Sequence, residues 1–557
     1  VTEEQTLSKV ATLMQGWWIP GQDLPSSDPA RIAQAVQSIA EPIVLVDAAG
    51  YLAAGQGGTC VLGHAPPEVP AYRVVGYAPA TPLEMLGDLS FCAEHGLRYP
   101  YVTGAMANGI GSAAIVEAMG QSGMLGFFGS AGLPPDRVEK EIDRIQQTLG
   151  DRPYGFNLIS TPGEPDMEAN IVDLYLRRGV RRIEASAFLA LTLPLIRFRV
   201  RGIHRDPAGR IVTPNQVIGK VSRVEVATKF FSPPPDEFLQ KLVQLGEITA
   251  EQADLARQIP VAQDISAEAD SGGHTDNRPA LTMLPTMLAL RDRLQREFAY
   301  QQKLRVGLGG GIATPASVAA AFAMGAAYVV TGTVNQSCVE SGTSDLVRQM
   351  LSQAEQPDVA MAPAGDMFEM GVKVQVLKRG TLFAMRAQKL YELYSAHKSI
   401  HEIPAGDRAM IEKQCFRAPL EEIWKQTVEY FQRRDPRQIQ RAEKDPKHQM
   451  ALIFRWYLGQ SSRWAIGGEP SRQADYQVWC GPAMGAFNEW VRGTCLAPVE
   501  QRRVSAVAFN LLYGAAVLQR VGQLRQQGVT LPESAVDVRP LPIEEVFARI
   551  QPHWAAA

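Results

Sequence analysis

In "RVGLGGGIATPASVAAAFAMGAAYVVTGT", Arg305–Thr333, three glycines (Gly309, Gly310, Gly311) end one β-branched run, and Gly332 and Thr333 end the next. Glycine lets backbone approach a ligand's oxygens because no Cβ intervenes. A helix start adds free N–H groups and a partial positive charge. Thr314 and Pro315 have the types of a helix cap and first helical residue. Two such loops on neighbouring strands would converge on one phosphate; without a ligand they are two tight turns.

Other stretches fit a flat ring beside that phosphate. In "TGAMANGIGS" the small or soft Gly104, Ala105 and Met106 suit a ring lying against backbone, or close packing of strand on helix. Asn157 in "YGFNLIS" is a buried amide that must find partners, on a ligand edge or on backbone. Lys220 in "VIGKVSR" could pair with the electron-rich side of a reduced ring, or be a salt-bridged lysine. In "QDISAEADSGGHTDNRP" the alternating Asp264, Ser266, Glu268 and Asp270 share one strand face, and Ser271, Gly272, Gly273 and His274 form a loop. Carboxylates with a single histidine make a poor metal site, so no metal is expected. The other reading makes Gly272 and Gly273 further close-approach backbone, with His274 delivering or orienting a proton, unless it is a structural cap.

What must hold these residues is a repeat of strand and helix. Strands are expected at 99–105, 124–130, 154–160, 181–187, 217–223, 261–270, 304–310 and 326–332, with helical stretches such as "DEFLQKLVQLG" between them. Eight such units predict an α/β fold, a closed (β/α)8 TIM barrel rather than a doubly wound sheet. "LIRFRVRGIHRDPAGRIV" is an insertion between the fourth and fifth units. The expected division is a small N-terminal α/β region (1–88), the barrel (89–334) and a helical C-terminal substrate-binding or lid region (335–557). The first contains a hairpin around Asp47–Gly50. In the last, "PLEEIWKQTVEYFQRR" has helical spacing and Thr381 opens another helix.

The 557 residues are 46% hydrophobic and 20% charged, with a net charge of −3, which gives no bias toward nucleic acid. The stretch "VTEEQTLSKVATLMQGWW" lacks a signal pattern, and Ala316–Val330 is too short to span a membrane, so a cytoplasmic protein without membrane contact is expected. Six cysteines without a CxxC pair argue against a zinc cluster. A symmetric homodimer is the commonest oligomer for such a chain.

"EADSGGH", "GLGGGIATP" and "VVTGT" resemble the flavin barrel of the nitronate monooxygenases and the FabK-type enoyl reductases. The longer strings "GAMANGIGSAAIVEAMGQSGMLGFFGSAGL", "KVSRVEVATKFFSPPP" and "QVLKRGTLFAMRAQKLYELY" resemble the PfaD-type, trans-acting enoyl reductases of polyunsaturated fatty acid and trans-acyltransferase polyketide synthases. The resemblance implies FMN, with its phosphate at Gly309–Gly311 and Gly332–Thr333. Its ring would lie near Gly104–Ala107, Asn157, Lys220 and Ser271–Gly273. It also implies NADPH as hydride donor and an enoyl thioester on an acyl carrier protein as substrate. His274 aligns with the histidine that is a base in nitronate monooxygenases and orients or supplies a proton in the reductases, although "TDNRP" after it departs from the FabK-type string. The catalytic residues so implied are His274 and Lys220.

"RRDPRQIQRAEKDPKH" carries Arg433, Arg434, Arg437, Arg441, Lys444 and Lys447, a surface that could steer an acidic carrier protein or be a solvated helix face. The competing readings are a nitronate monooxygenase-like flavin oxidase and a non-catalytic flavin-bound synthase subunit.

Overall fold

The computed structural model describes residues 16–161 and 164–551; residues 1–15, most of the stretch read above for a signal pattern, lie outside them. Strands β1 (Gly16–Ile19), β2 (Ile43–Ala48), β3 (Tyr51–Gly55), β4 (Thr59–Leu62) and β5 (Tyr72–Ala78) form one sheet in the order β3-β2-β5-β1-β4. The expected hairpin is β2–β3. Ala49 and Gly50 both take positive φ in its turn, and Asp47 Oδ1 accepts the Gly50 N–H at 2.6 Å.

All eight expected barrel strands form, each shorter than its sequence run. They are β6 (Tyr101–Thr103), β7 (Leu125–Phe128), β8 (Gly155–Ile159), β9 (Arg182–Ser186), β12 (Gln216–Val221), β13 (Asp264–Glu268), β15 (Arg305–Gly309) and β16 (Val329–Thr331). Every neighbouring pair is parallel, and β16 closes on β6 with Val329 opposite Tyr101. The insertion before β12 is a helix, Leu193–Val200, followed by the hairpin β10 (His204–Arg205) and β11 (Ile211–Val212).

Side chains fill the barrel in layers. Near the strand starts, Asp264 bonds Arg305 at 2.6 Å and His95 at 2.9 Å, and Phe91 stacks on Tyr328 at 4.0 Å. Burial opposes the Asp264 charge, but Arg305 and His95 outweigh it and hold the carboxyl down at about 2. Glycines make the room: a Cβ on Gly307 would lie 2.3 Å from the Tyr328 ring, and one on Gly155 2.2 Å from Phe127. Ser266, one layer up, shares a 3.0 Å hydrogen bond with the Tyr328 hydroxyl, and Glu268 stands at the mouth. The alternating face of β13 thus does different work at each height. Asp270 lies past the strand end, accepting from Asn277 and Gln375.

Helix Pro315–Ala323 begins as the sequence predicts. Thr314 Oγ1 accepts the Ser317 N–H, and Ser317 Oγ accepts those of Ala313 and Thr314. Thr314→Ala should lower unfolding free energy by about 1 kcal/mol in urea denaturation; an unchanged midpoint would show that tertiary packing alone fixes this helix start.

The strand signal does not end at Asn335, as the sequence suggested. β17 (Val359–Pro363) and β18 (Lys373–Leu377) pair antiparallel, and β14 (Gly273–His274), from the loop after β13, adds to the edge of β18. Helices Phe383–Ala396, Leu420–Arg434 and Pro446–Gly467 then build a second core around Phe383, Phe416, Phe454 and Tyr457. Thr381 Oγ1 accepts the Phe383 N–H at the start of the first of these, and Leu382 takes the cap position. Asp475 closes this unit, bonded by Arg386, Arg472 and the Tyr457 hydroxyl. The chain then returns to the main core. Helix Val504–Gln526 is long and apolar enough to cross a membrane, but here it is packed on Pro315–Ala323 and β5 and is largely buried.

Candidate functional site

The strand ends of β6, β12, β13, β15 and β16 border one cavity at the barrel mouth. The ends of β15 and β16 contribute Gly309, Gly310, Gly311, Gly332 and Thr333 to its lining. Gly310 and Gly311 have φ of 81° and 76°, which side chains rarely adopt. A Cβ on Gly310 would meet the Ala269 carbonyl carbon at 2.6 Å, whereas one on Gly311 or Gly332 would meet nothing within 4 Å. The two loops expected to converge do so. The following helix contributes less than expected, because Ser317 already occupies the N–H groups of Ala313 and Thr314.

The loops after β6 and β13 and the strand β12 add Gly104, Ala105, Met106, Ser271, Gly272 and Lys220 to the lining. The Lys220 ammonium sits 3.7 Å from Glu184 and 3.7 Å from Glu268. Its side chain is 19% exposed, that of Glu184 only 1%. Burial works against the Lys220 charge, but the two carboxylates outweigh it and hold the ammonium above its ordinary range. Burial pushes the Glu184 carboxyl up despite Lys220. Glu184 Oε2 accepts the Ala105 N–H at 3.0 Å, and its buried Oε1 has no partner among the described residues. Lys220 is therefore salt-bridged, and it also borders the cavity.

Three expected residues stand off the cavity lining. Asn157 donates to the Glu184 carbonyl and to Ser186 Oγ, both at 3.0 Å, the backbone-partner alternative in part. Gly273 and His274 form β14, where a Cβ on Gly273 would lie 3.9 Å from Trp479 Cδ1. His274 Nε2 faces Asp366 Oδ1 at 3.2 Å, on the loop between β17 and β18. Burial lowers the basicity of His274, but the Asp366 carboxylate outweighs it and raises the imidazole pKa. The stability gained from this pair is full below the ordinary histidine value of about 6.5 and lost as pH rises through the folded value. Asp366→Asn should lower the His274 titration midpoint, followed by NMR; an unmoved midpoint would mean that Glu268 holds the charge.

The cavity also takes Ser266, Glu268, Gln336, Trp479, Gly481 and Ala483, which the sequence did not single out as ligand-binding. Glu184 was legible as a charge inside the strand "RIEAS". Trp479–Ala483 had no local signal. This segment reaches the site because Val376 bridges Trp479 and the Leu377 N–H bonds the Val478 carbonyl. A Cβ on Gly481 would lie 2.8 Å from the Gly272 nitrogen, and the Gly481 N–H donates to Thr333 Oγ1 at 3.2 Å. The segment thus ties the loop after β13 to the loop after β16. Gln375 on β18 pins the former, donating to Asp270 and the Ser271 carbonyl.

Among the described residues, no group of three or more His, Cys, Asp or Glu side chains is placed to hold a metal. The open faces of Gly311 and Gly332, the left-handed Gly310 turn and the Lys220 cation on the same cavity suit an anionic tail joined to a flat polar ring.

The basic stretch 433–447 is less free than its sequence suggests. Arg434 pairs with Glu164 at 2.7 Å, Arg437 with Asp435 and Asp166, Arg441 with Glu369, and Lys447 turns inward to backbone carbonyls. Folding brings acidic loops from elsewhere in the chain against it.

Residues 91–400 match the nitronate monooxygenase family, and residues 397–476 match the inserted helical domain of acyl-carrier-protein S-malonyltransferase. The chain is 50% identical over 447 residues to one of the polyunsaturated fatty acid synthase proteins of a Thraustochytrium species, covering 79% of this chain and 30% of that protein. It is 45% identical over 436 residues to the polyketide biosynthesis protein PksE of Bacillus subtilis, covering 78% of this chain and 56% of PksE. The chain therefore spans about half or less of these curated relatives. Among solved structures, the enoyl reductase domain of MlnA, from the macrolactin biosynthesis cluster of Bacillus amyloliquefaciens, superposes with a TM-score of 0.75 at 40% identity. That match covers 80% of this chain and 99% of that one.

Proposed function

The chain belongs to the nitronate monooxygenase family, and we propose that it is a trans-acting, FMN-dependent enoyl reductase working on enoyl thioesters carried by an acyl carrier protein in polyketide or polyunsaturated fatty acid synthesis. The observation that carries this reading is the likeness to the MlnA enoyl reductase domain, which spans nearly all of that domain. The glycine-ringed cavity with Lys220 on its lining is its physical counterpart.

In this reading Gly309–Gly311, Gly332 and Thr333 hold the FMN phosphate, and Gly104–Met106, Ser271 and Gly272 face the ring. When bound, a flavin would supply the hydride chemistry at the β-carbon of the enoyl thioester, with NADPH as the source of the electrons. The thioester carbonyl then gains negative charge, which Lys220, held protonated by Glu184 and Glu268, is placed to stabilise. His274, which stands off the cavity lining on β14, would orient the proton for the α-carbon from there, with Asp366 keeping the imidazole basic. Trp479, Gly481 and Ala483 form part of the cavity wall.

The test is anaerobic: NADPH should bleach the visible flavin absorbance, and a crotonyl-carrier-protein thioester should restore it. Bleaching without recovery would reject this acceptor. The match of residues 91–400 to nitronate monooxygenases keeps one alternative, in which a nitronate and oxygen turn over without a carrier protein.

A further inference from the structure

Gln336 differs from the other polar residues around the cavity. It is 2% exposed and borders the cavity. Its backbone is bonded, N–H to the Gly332 carbonyl and carbonyl from Ser341 Oγ, but among the described residues no hydrogen bond reaches its side-chain amide. Neighbouring Asn335 differs in part: its amide nitrogen donates to both the Thr331 carbonyl and hydroxyl, each at 2.9 Å, while its buried Oδ1 has no partner among the described residues. Buried side-chain amides are nearly always bonded. An amide without a protein partner, on a residue buried but for its share of a cavity wall, is a donor kept for what enters.

Its place in the fold says which part enters there. Gln336 lies one turn past Gly332, on the loop after β16, three strands round the barrel from the Lys220 strand. The open faces of Gly311 and Gly332 border the same cavity. We propose that the Gln336 amide donates a hydrogen bond to the phosphate of the bound flavin and so selects the phosphorylated cofactor; this rests on the flavin reading above.

The test compares two ligands that differ only in that phosphate. Flavin-free protein is titrated with FMN and with riboflavin, following flavin fluorescence, for the wild type, Gln336→Leu and Gln336→Glu. Wild type should prefer FMN. Gln336→Leu should weaken FMN binding about tenfold while changing riboflavin binding less than about twofold. Gln336→Glu keeps the shape, sets a carboxylate against the phosphate and should weaken FMN further. It also serves if the leucine variant fails to fold, as its thermal midpoint would reveal. Equal losses for both ligands, or no loss of FMN affinity, would overturn the proposal and leave the flavin reading intact. Wild-type protein that binds neither ligand would remove both.

Discussion

Gly310→Ala is expected to leave the purified protein without flavin and with a markedly lower melting temperature. Two costs add. The left-handed φ of 81° penalises any Cβ by about 1–2 kcal/mol. The added carbon would also lie 2.6 Å from the Ala269 carbonyl carbon and 2.7 Å from its oxygen, and neither can move without shifting the end of β13. The same loop carries the contact to the β13 end, so relief of the clash displaces both. Gly332→Ala is the control: its φ is negative and its Cβ would meet open space, so the fold should hold while bound flavin falls. Flavin content per chain and thermal midpoint, measured on both variants, separate the effects. A Gly310→Ala protein with full flavin and an unchanged midpoint would refute the close-approach argument.

Lys220→Met should destabilise the fold by about 3–5 kcal/mol near neutral pH, because it leaves Glu184 buried without its cation. The loss should depend on pH. Burial already raises the Glu184 pKa, so its contribution to stability is full below the ordinary carboxylate value and is lost as pH rises through the folded value. Without Lys220 the carboxyl rises further, and the stability of the variant should decline more steeply than wild type between about pH 5 and pH 8. Adding Glu184→Gln should flatten that slope, since an amide has no charge to bury. Urea denaturation of the three proteins across this range decides it. A pH-independent loss in Lys220→Met would mean that the methionine simply packs badly.

Much of this molecule is local and therefore legible. Each parallel strand is a short apolar run bounded by turn residues, so "VVTGT" or "GLGGG" marks both a strand and its functional end. Thr314 and Pro315 announce a helix start by their own chemistry. Positive φ at Gly310 and Gly311 follows from their being glycines in a tight turn.

Properties that require two distant segments to meet were decided by tertiary structure. Lys220 in a strand left open whether it was bridged or facing a ligand, and only the barrel's closure set Glu184 and Glu268 on either side of it. Asp366 becomes the partner of His274 because β14 joins the edge of β18, a pairing over a hundred residues of chain that no periodicity encodes. Trp479–Ala483 reaches the cavity by the same route, after a helical unit that folds around its own core. The basic run at 433–447 looked free because sequence shows a charge without its partner, and Glu164, Asp166 and Glu369 arrive from elsewhere. The sequence by itself determined the barrel, its glycine-lined mouth and the chemistry its loops can host, since backbone preferences act between neighbours. The charges, caps and walls that complete the site depend on long-range packing, and only the folded chain brings them together.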